Sequence, residues 1–93
     1  MKNKILNFLK NNKEYIKKRF GVNEIYLAGS YANGSFTKNS DIDIIVDMQS
    51  DFDKFFELKY FLEKHFRKEV DLADIKHLRH YIKKNIQKDM IHV

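Results

Sequence analysis

Residues 27–47 read LAGSYANGSFTKNSDIDIIVD and decide how the chain is organised. This stretch begins at the end of an apolar run, passes through a glycine-serine pair and a polar loop, and ends in a strand pattern that starts with two aspartates. Because side chains alternate between the two faces of a strand, Asp41 and Asp43 share one face. The apolar side chains predicted for the opposite face are Ile42, Ile44 and Val46. Two carboxylates on one face repel each other unless a cation lies between them, and oxygen ligands of this kind suit magnesium.

The composition predicts one small soluble domain over residues 1–93. Hydrophobic residues make up 43% of the chain and include eight Phe and five Tyr, which is enough for one core. The net charge of +5 suits an anionic partner such as a nucleotide, a nucleic acid or an acidic protein, although many soluble domains share it. The absence of cysteine excludes disulfides and thiolate metal sites. No signal-peptide pattern and no membrane-spanning run is present, so we expect a cytoplasmic protein without membrane contact.

Hydrophobic periodicity predicts six elements in the order helix, strand, strand, helix, strand, helix. We expect helices over residues 2–19, 51–66 and about 74–88, strands over 23–28, 41–48 and 68–73, and one helical turn near 31–34. Gly21 is a natural stop for the first helix, and Asp51 can cap the second. The pattern therefore predicts an α/β (α+β) fold with a three-stranded mixed sheet and helices packed on one face.

A third carboxylate, Asp71, lies on the polar face of the third predicted strand. If the second and third strands lie side by side, Asp71 faces Asp41 and Asp43. Three carboxylates on an open sheet face could bind two magnesium ions, which suits nucleotidyl transfer because the metals activate the attacking hydroxyl and neutralise the triphosphate. Glu69 shares this face and is the alternative third ligand.

Gly29 and Ser30 end the first predicted strand, next to the aspartates. A glycine lets the backbone approach phosphate closely, and backbone N–H groups together with the Ser30 hydroxyl can hold phosphate oxygens. The simpler interpretation of this pair is a tight turn. The basic face of the last predicted helix is expected to be solvated, with RNA or an acidic partner as the alternative.

The string GSYANGSFTKNSDIDIIV closely resembles the signature of the DNA polymerase β-like nucleotidyltransferase superfamily, which is Gly-Ser, a spacer, Asp-x-Asp and a later Asp on a strand. The short chain is similar to the minimal nucleotidyltransferase subfamily. Members of that subfamily are often antitoxins encoded beside a HEPN-family toxin. The resemblance covers essentially the whole chain in length and element order.

By that resemblance, Asp41 and Asp43 bind both metal ions, Asp71 binds the catalytic metal and helps deprotonate the acceptor hydroxyl, and Gly29 and Ser30 hold the nucleotide phosphates. The resemblance implies Mg²⁺, with Mn²⁺ as the alternative, and ATP as substrate. Antitoxins of this family transfer AMP to a tyrosine of the HEPN ribonuclease toxin, and this is the function we expect. The alternatives are a non-catalytic antitoxin that acts by binding, and a nucleotidyltransferase that acts on RNA ends or a small molecule.

The sequence departs from the family pattern at Asn33, where a basic residue is common. Such a residue could contribute to triphosphate binding, and Lys38 from the same loop could substitute for it. The chain also lacks a separate helical domain for the substrate. We therefore expect the acceptor to be held largely by another chain.

Overall fold

A computed structural model describes residues 2–78, 84 and 88–93 of the chain. The described helices are α1 (Lys2–Asn11), α2 (Lys13–Phe20), α3 (Gly29–Asn33) and α4 (Phe52–Phe66), and the strands are β1 (Val22–Ala28), β2 (Ile42–Met48), β3 (Val70–Asp74) and β4 (Ile91–His92). A short 3₁₀ turn over Ile75–His77 follows β3. None of the described helices is long and apolar enough to cross a bilayer.

The sheet has the order β3-β2-β1-β4. Strand β1 pairs antiparallel with β2 and β4, whereas β2 and β3 run parallel, so the prediction of a mixed sheet is confirmed. The sheet has four strands rather than the predicted three. The fourth strand has only two residues, so it is too short to show a pattern of alternating side chains in the sequence. Contacts with residues distant in sequence hold it, such as the bond from the Val93 N–H to the Ile25 carbonyl (2.9 Å).

One face of the sheet carries the hydrophobic core, as the alternation in β2 predicts. Ile42, Ile44 and Val46 are at most 1% exposed. They belong to one apolar cluster with residues from the other strands and from every described helix. The largest fully buried helical members of that cluster are Ile5, Leu9, Ile16, Tyr31, Leu58 and Leu62. The described helices therefore pack on one face. Asp43 and Asp71 lie on the other face, whereas the buried Asp74 shares the face of Val70 and Leu72.

The first predicted helix is divided into α1 and α2 at Asn12. Asn12 has φ −109° and ψ 9°, outside helical geometry, and the Phe8 carbonyl accepts from both its N–H (3.0 Å) and its side-chain amide (2.8 Å). Helix α2 ends where Gly21 adopts a left-handed conformation (φ +70°) and donates its N–H to the Lys17 carbonyl. The predicted stop at Gly21 is confirmed, but the break at Asn12 was not predicted.

Helix α4 begins and ends close to its predicted bounds. The Asp51 carboxylate accepts from the Lys54 N–H (3.1 Å) and caps the first turn. Arg67 ends the helix with φ +54°, and its N–H donates to the Glu63 carbonyl. Strand β3 starts at Val70 rather than at residue 68, because residues 67–69 form the turn that follows this end.

The last predicted helix, residues 74–88, falls mainly outside the described residues. Its first described turn is 3₁₀ rather than α, and the Asp74 side chain caps this turn by accepting from the Lys76 N–H (3.0 Å). The predicted helical residues 79–83 and 85–87 lie outside the part of the chain that the structure describes.

Candidate active site

The parallel pairing of β2 and β3 brings two of the predicted carboxylates together. Asp43 and Asp71 are direct partners in the register, on strands about 4.8 Å apart. Asp43 is half-buried, whereas Asp41 and Asp71 are exposed. Asp41 lies just before the first residue of β2, so it is next to the pair but outside the strand. Glu69 lies before β3, and the register therefore favours Asp71 as the partner of Asp43.

The electrostatic setting of Asp43 disfavours its charged form. Burial removes water from the carboxylate and raises the pKa of Asp43 above its ordinary value. The nearby negative charges of Asp71 and Asp41 raise it further, and so does a hydrogen bond with the Asp71 carboxyl. A positive ion placed between these groups would offset the repulsion and favour the ionised form of Asp43.

Gly29 lies directly against Asp43. Residue Ala28 is the register partner of Asp43, and Gly29 follows it with a left-handed backbone (φ +66°). A Cβ atom on Gly29 would lie 2.0 Å from Asp43 Oδ2 and 2.9 Å from its Cγ. Only glycine therefore leaves room for the carboxylate at this point, for both steric and conformational reasons.

The loop from α3 to β2 is ordered by its own side chains. Asn33 Oδ1 accepts from the Ser35 N–H (2.9 Å) and from the Ser35 hydroxyl (2.6 Å), so Asn33 serves as a turn residue. The Phe36 ring stacks on the buried Tyr31 ring with centroids 4.5 Å apart. Ser30 is at the first turn of α3, where its carbonyl accepts from the Gly34 N–H. The predicted helical turn is confirmed, and it starts at Gly29.

A second acidic pair lies at the other end of the same two strands. Asp47 is near the end of β2, and the buried Asp74 ends β3. Here the Lys76 ammonium lies 3.5 Å from a carboxylate oxygen of each aspartate, and it also donates to the Met48 carbonyl. This end of the sheet carries its own cation.

A groove of about 550 Å³ also lies at that second end. It is mainly apolar and is lined by residues of α4 and of the segments after β2 and β3, including Met48, Phe52, Phe55, Phe56 and Leu78. The predicted site residues Gly29, Ser30, Asp41, Asp43 and Asp71 do not line it. The groove and the carboxylate pair are therefore separate features.

Comparison with known proteins identifies the family. The family model for the nucleotidyltransferase domain matches residues 9–93. The chain belongs to this nucleotidyltransferase family. A predicted protein adenylyltransferase of Methanocaldococcus jannaschii is 38% identical over 94 residues, which cover 96% of this chain and 94% of that protein.

Two solved structures extend the likeness to the fold of nucleotidyltransferases in toxin–antitoxin complexes. One is a toxin–antitoxin complex with AMP-PNP, at a TM-score of 0.70 and 29% identity, covering 98% of this chain and 70% of that one. The other is a tri-AMPylated HEPN toxin of Shewanella oneidensis in complex with its MNT antitoxin, at a TM-score of 0.61 and 26% identity, covering 98% and 66%. The predicted minimal nucleotidyltransferase fold is confirmed.

The donor set of this nucleotidyltransferase fits a hard divalent cation. Among the described residues, no three His, Cys, Asp or Glu side chains form a ready-made metal cluster. The fit rests instead on Asp43 and Asp71, which are opposed across two strands, and on Asp41 beside them. Their oxygen atoms are the ligand type that Mg²⁺ prefers, and their mutual repulsion is what a bound cation relieves.

Two residues that the sequence patterns did not indicate hold the segments that lead into the site. Glu63 Oε2 accepts from the Val70 N–H (3.0 Å) at the start of β3. Lys68 Nζ donates to the Lys38 carbonyl (2.7 Å) in the loop before β2. Neither contact leaves a signal in the sequence, because charged residues at a helix end and in a turn are ordinary features of a solvated surface.

Proposed function

We propose that this protein is a magnesium-dependent adenylyltransferase that transfers AMP from ATP to a tyrosine of a HEPN-family ribonuclease toxin, and that it is the antitoxin of that toxin. The observation that carries the proposal is the opposed pair Asp43 and Asp71, of which Asp43 lies against Gly29. The adenylyltransferase relative and the MNT–HEPN complex support the nature of the acceptor. Residues 1–93 would act as a single domain.

In this proposal each predicted site residue has a defined role. Asp41 and Asp43 would hold both metal ions, and Asp71 would hold the catalytic one and take the proton of the acceptor hydroxyl. Gly29 and Ser30 hold the phosphates of ATP. Mg²⁺, or Mn²⁺ in its place, supplies charge neutralisation and lowers the pKa of the acceptor hydroxyl.

The reaction is an in-line displacement at the α-phosphorus. The tyrosine oxygen forms a bond to the α-phosphorus, and the bond from that phosphorus to the bridging oxygen breaks, so that diphosphate leaves. In this proposal Asp71 receives the hydroxyl proton, and its position opposite Asp43 in the register supports that role. In this proposal the acceptor tyrosine is held by the partner chain.

Intact mass spectrometry of the HEPN partner, incubated with ATP, Mg²⁺ and this protein, tests the proposal. The wild-type protein should add AMP units to the partner, and Asp41→Asn/Asp43→Asn should add none while remaining folded. Asp47→Asn is the matched control, because Asp47 lies on the same strand but pairs with Lys76. If the double variant still transfers AMP, the site assignment is wrong.

One observation favours a second function, a non-catalytic antitoxin. Asn33 is neutral, and its side chain is engaged by Ser35. This alternative predicts that Asp41→Asn/Asp43→Asn neutralises the toxin fully and that the wild-type protein leaves the mass of the toxin unchanged.

A nucleotidyltransferase that acts on RNA would instead bind RNA with an affinity that falls steeply with added salt.

A further inference from the structure

The three carboxylates of the site are not equally fixed by the fold. Asp43 and Asp71 lie within paired strands, so the sheet hydrogen bonds set their positions. Asp41 precedes the first residue of β2 and is exposed. Its position therefore depends on the loop before it, residues 34–40.

Besides the bonds near its start, from Ser35 to Asn33 and from Gly34 to Ser30, three described contacts hold that loop. Phe36 stacks on Tyr31, and Thr37 and Ser40 form a turn in which the Thr37 N–H donates to the Ser40 hydroxyl (2.9 Å). The third contact is the Lys68 ammonium, which donates to the Lys38 carbonyl at 2.7 Å. The bond to Lys38 is the one of these three that ties the loop to the segment leading into β3. It is also a charge-assisted bond, which makes it stronger than a neutral one.

The segment that carries Lys68 is itself held in place. Glu63 on α4 accepts from the Val70 N–H, and the Glu69 carbonyl accepts from the Ile42 N–H (3.1 Å). Lys68 is thus a side chain on a fixed turn, three residues before Asp71, that reaches over to the loop before Asp41. It joins the two segments that deliver carboxylates to the site.

We propose that Lys68 is a positioning residue for the divalent cation. Its bond to the Lys38 carbonyl holds the loop so that Asp41 lies beside Asp43 and Asp71. This inference rests on the proposed function, because it requires that the three carboxylates bind a cation. The bond is exposed to solvent, so its contribution to the free energy of unfolding is small, and its effect is expected on cation affinity.

The test is Mn²⁺ binding to the full chain, followed by the electron paramagnetic resonance signal of the free ion. Lys68→Met should weaken Mn²⁺ affinity by about 3- to 10-fold, below the range seen for partners that touch a ligand directly. Lys68→Arg keeps a donor and should retain most of the affinity. Lys64→Met, an exposed lysine on α4, is the matched control and should bind as the wild type does.

A double-mutant cycle separates positioning from general destabilisation. If Lys68 acts through Asp41, Lys68→Met should weaken binding in the wild-type background and have no further effect in Asp41→Asn. The urea midpoint of Lys68→Met should match that of Lys64→Met. Equal Mn²⁺ affinity of Lys68→Met and wild type, or an undiminished effect in Asp41→Asn, overturns the role of Lys68 alone. If the wild-type protein binds no Mn²⁺, the metal site fails and this role fails with it.

Discussion

The parallel strands β2 and β3 carry a pair of acidic residues at each end, and the two pairs differ in whether a described lysine lies beside them. At one end, the Lys76 ammonium lies 3.5 Å from both Asp47 and Asp74. At the other end, Asp43 and Asp71 face each other, and the described ion pairs include neither of them. The nearby charges raise the pKa of Asp43, in addition to the effect of its burial.

The difference distinguishes an acidic pair that stabilises the fold from one that is available for function. A carboxylate pair with its own lysine needs no external ion. A pair that the fold brings together without a described cation costs free energy, and such a cost is retained at sites where a ligand relieves it. The positions of the acidic residues alone would predict a candidate functional site at both ends of these strands.

Gly29→Ala should have the largest effect, because it disrupts the carboxylate end directly. The new Cβ would lie 2.0 Å from Asp43 Oδ2, so the carboxylate must move, and AMP transfer should fall by about 100-fold or more. Gly34→Ala is the matched control. It has the same left-handed requirement (φ +88°) but nothing lies within 4 Å of its Cβ, so it should lose about 1 kcal/mol of stability and keep its activity. Equal loss of activity in both variants would mean that backbone strain, and not the contact with Asp43, is responsible.

Lys76→Met should have the next largest effect, and it should fall on stability rather than on catalysis. Removing the ammonium leaves the buried Asp74 with only its bond from the Lys76 N–H, which costs about 1 to 2 kcal/mol of unfolding free energy after allowance for the exposure of Lys76. Urea denaturation measures this loss. Asp47→Asn removes the exposed partner and should cost less than about 0.5 kcal/mol. A Lys76→Met protein that is as stable as the wild type would remove the contrast between the two ends.

Asp43→Asn should have the smallest effect on stability and the opposite sign. Folding raises the pKa of Asp43, so the stability from this group is present below its unfolded pKa and is lost as the pH rises through its folded pKa. At neutral pH the carboxylate therefore destabilises the fold, and Asp43→Asn should gain up to about 1 kcal/mol in solutions that contain EDTA.

The pH dependence is the decisive part of that measurement. The advantage of Asp43→Asn should shrink as the pH falls, because the wild-type carboxyl becomes protonated and loses its repulsion with Asp71 and Asp41. Asp47→Asn should show no such gain, because it removes an ion pair in which the Lys76 ammonium lies 3.5 Å from the carboxylate. A gain that grows in acid would contradict the assigned electrostatics.

The sequence predicts those features that depend on neighbours along the chain. Alternation alone places Ile42, Ile44 and Val46 in the core, and it leaves Asp43 on the open face. The left-handed end of α2 follows from Gly21. Asp43 and Asp71 lie side by side, as expected, because β2 and β3 are neighbouring parallel strands and the two residues are partners in their register.

Other features depend on contacts between distant parts of the chain, and alternation carries no trace of them. Strand β4 exists because the backbone after Met90 meets β1, far away in sequence. The contact of Gly29 with Asp43 follows from the antiparallel register of β1 and β2. The Gly-Ser and Asp-x-Asp motifs do not predict that register. The division at Asn12 is a departure of one residue's backbone from helical geometry (φ −109°, ψ 9°), which hydrophobic periodicity does not reveal.

The parallel direction of β2 and β3 has a consequence for how this fold can diversify. The segments before the two strands, residues 34–40 and 67–69, lie at the same edge of the sheet and are mostly exposed. Surface segments tolerate insertion and substitution far better than the core beneath them. Changes in these two short segments would therefore alter the rim of the site, while Asp43, Asp71 and the packing beneath them stay the same.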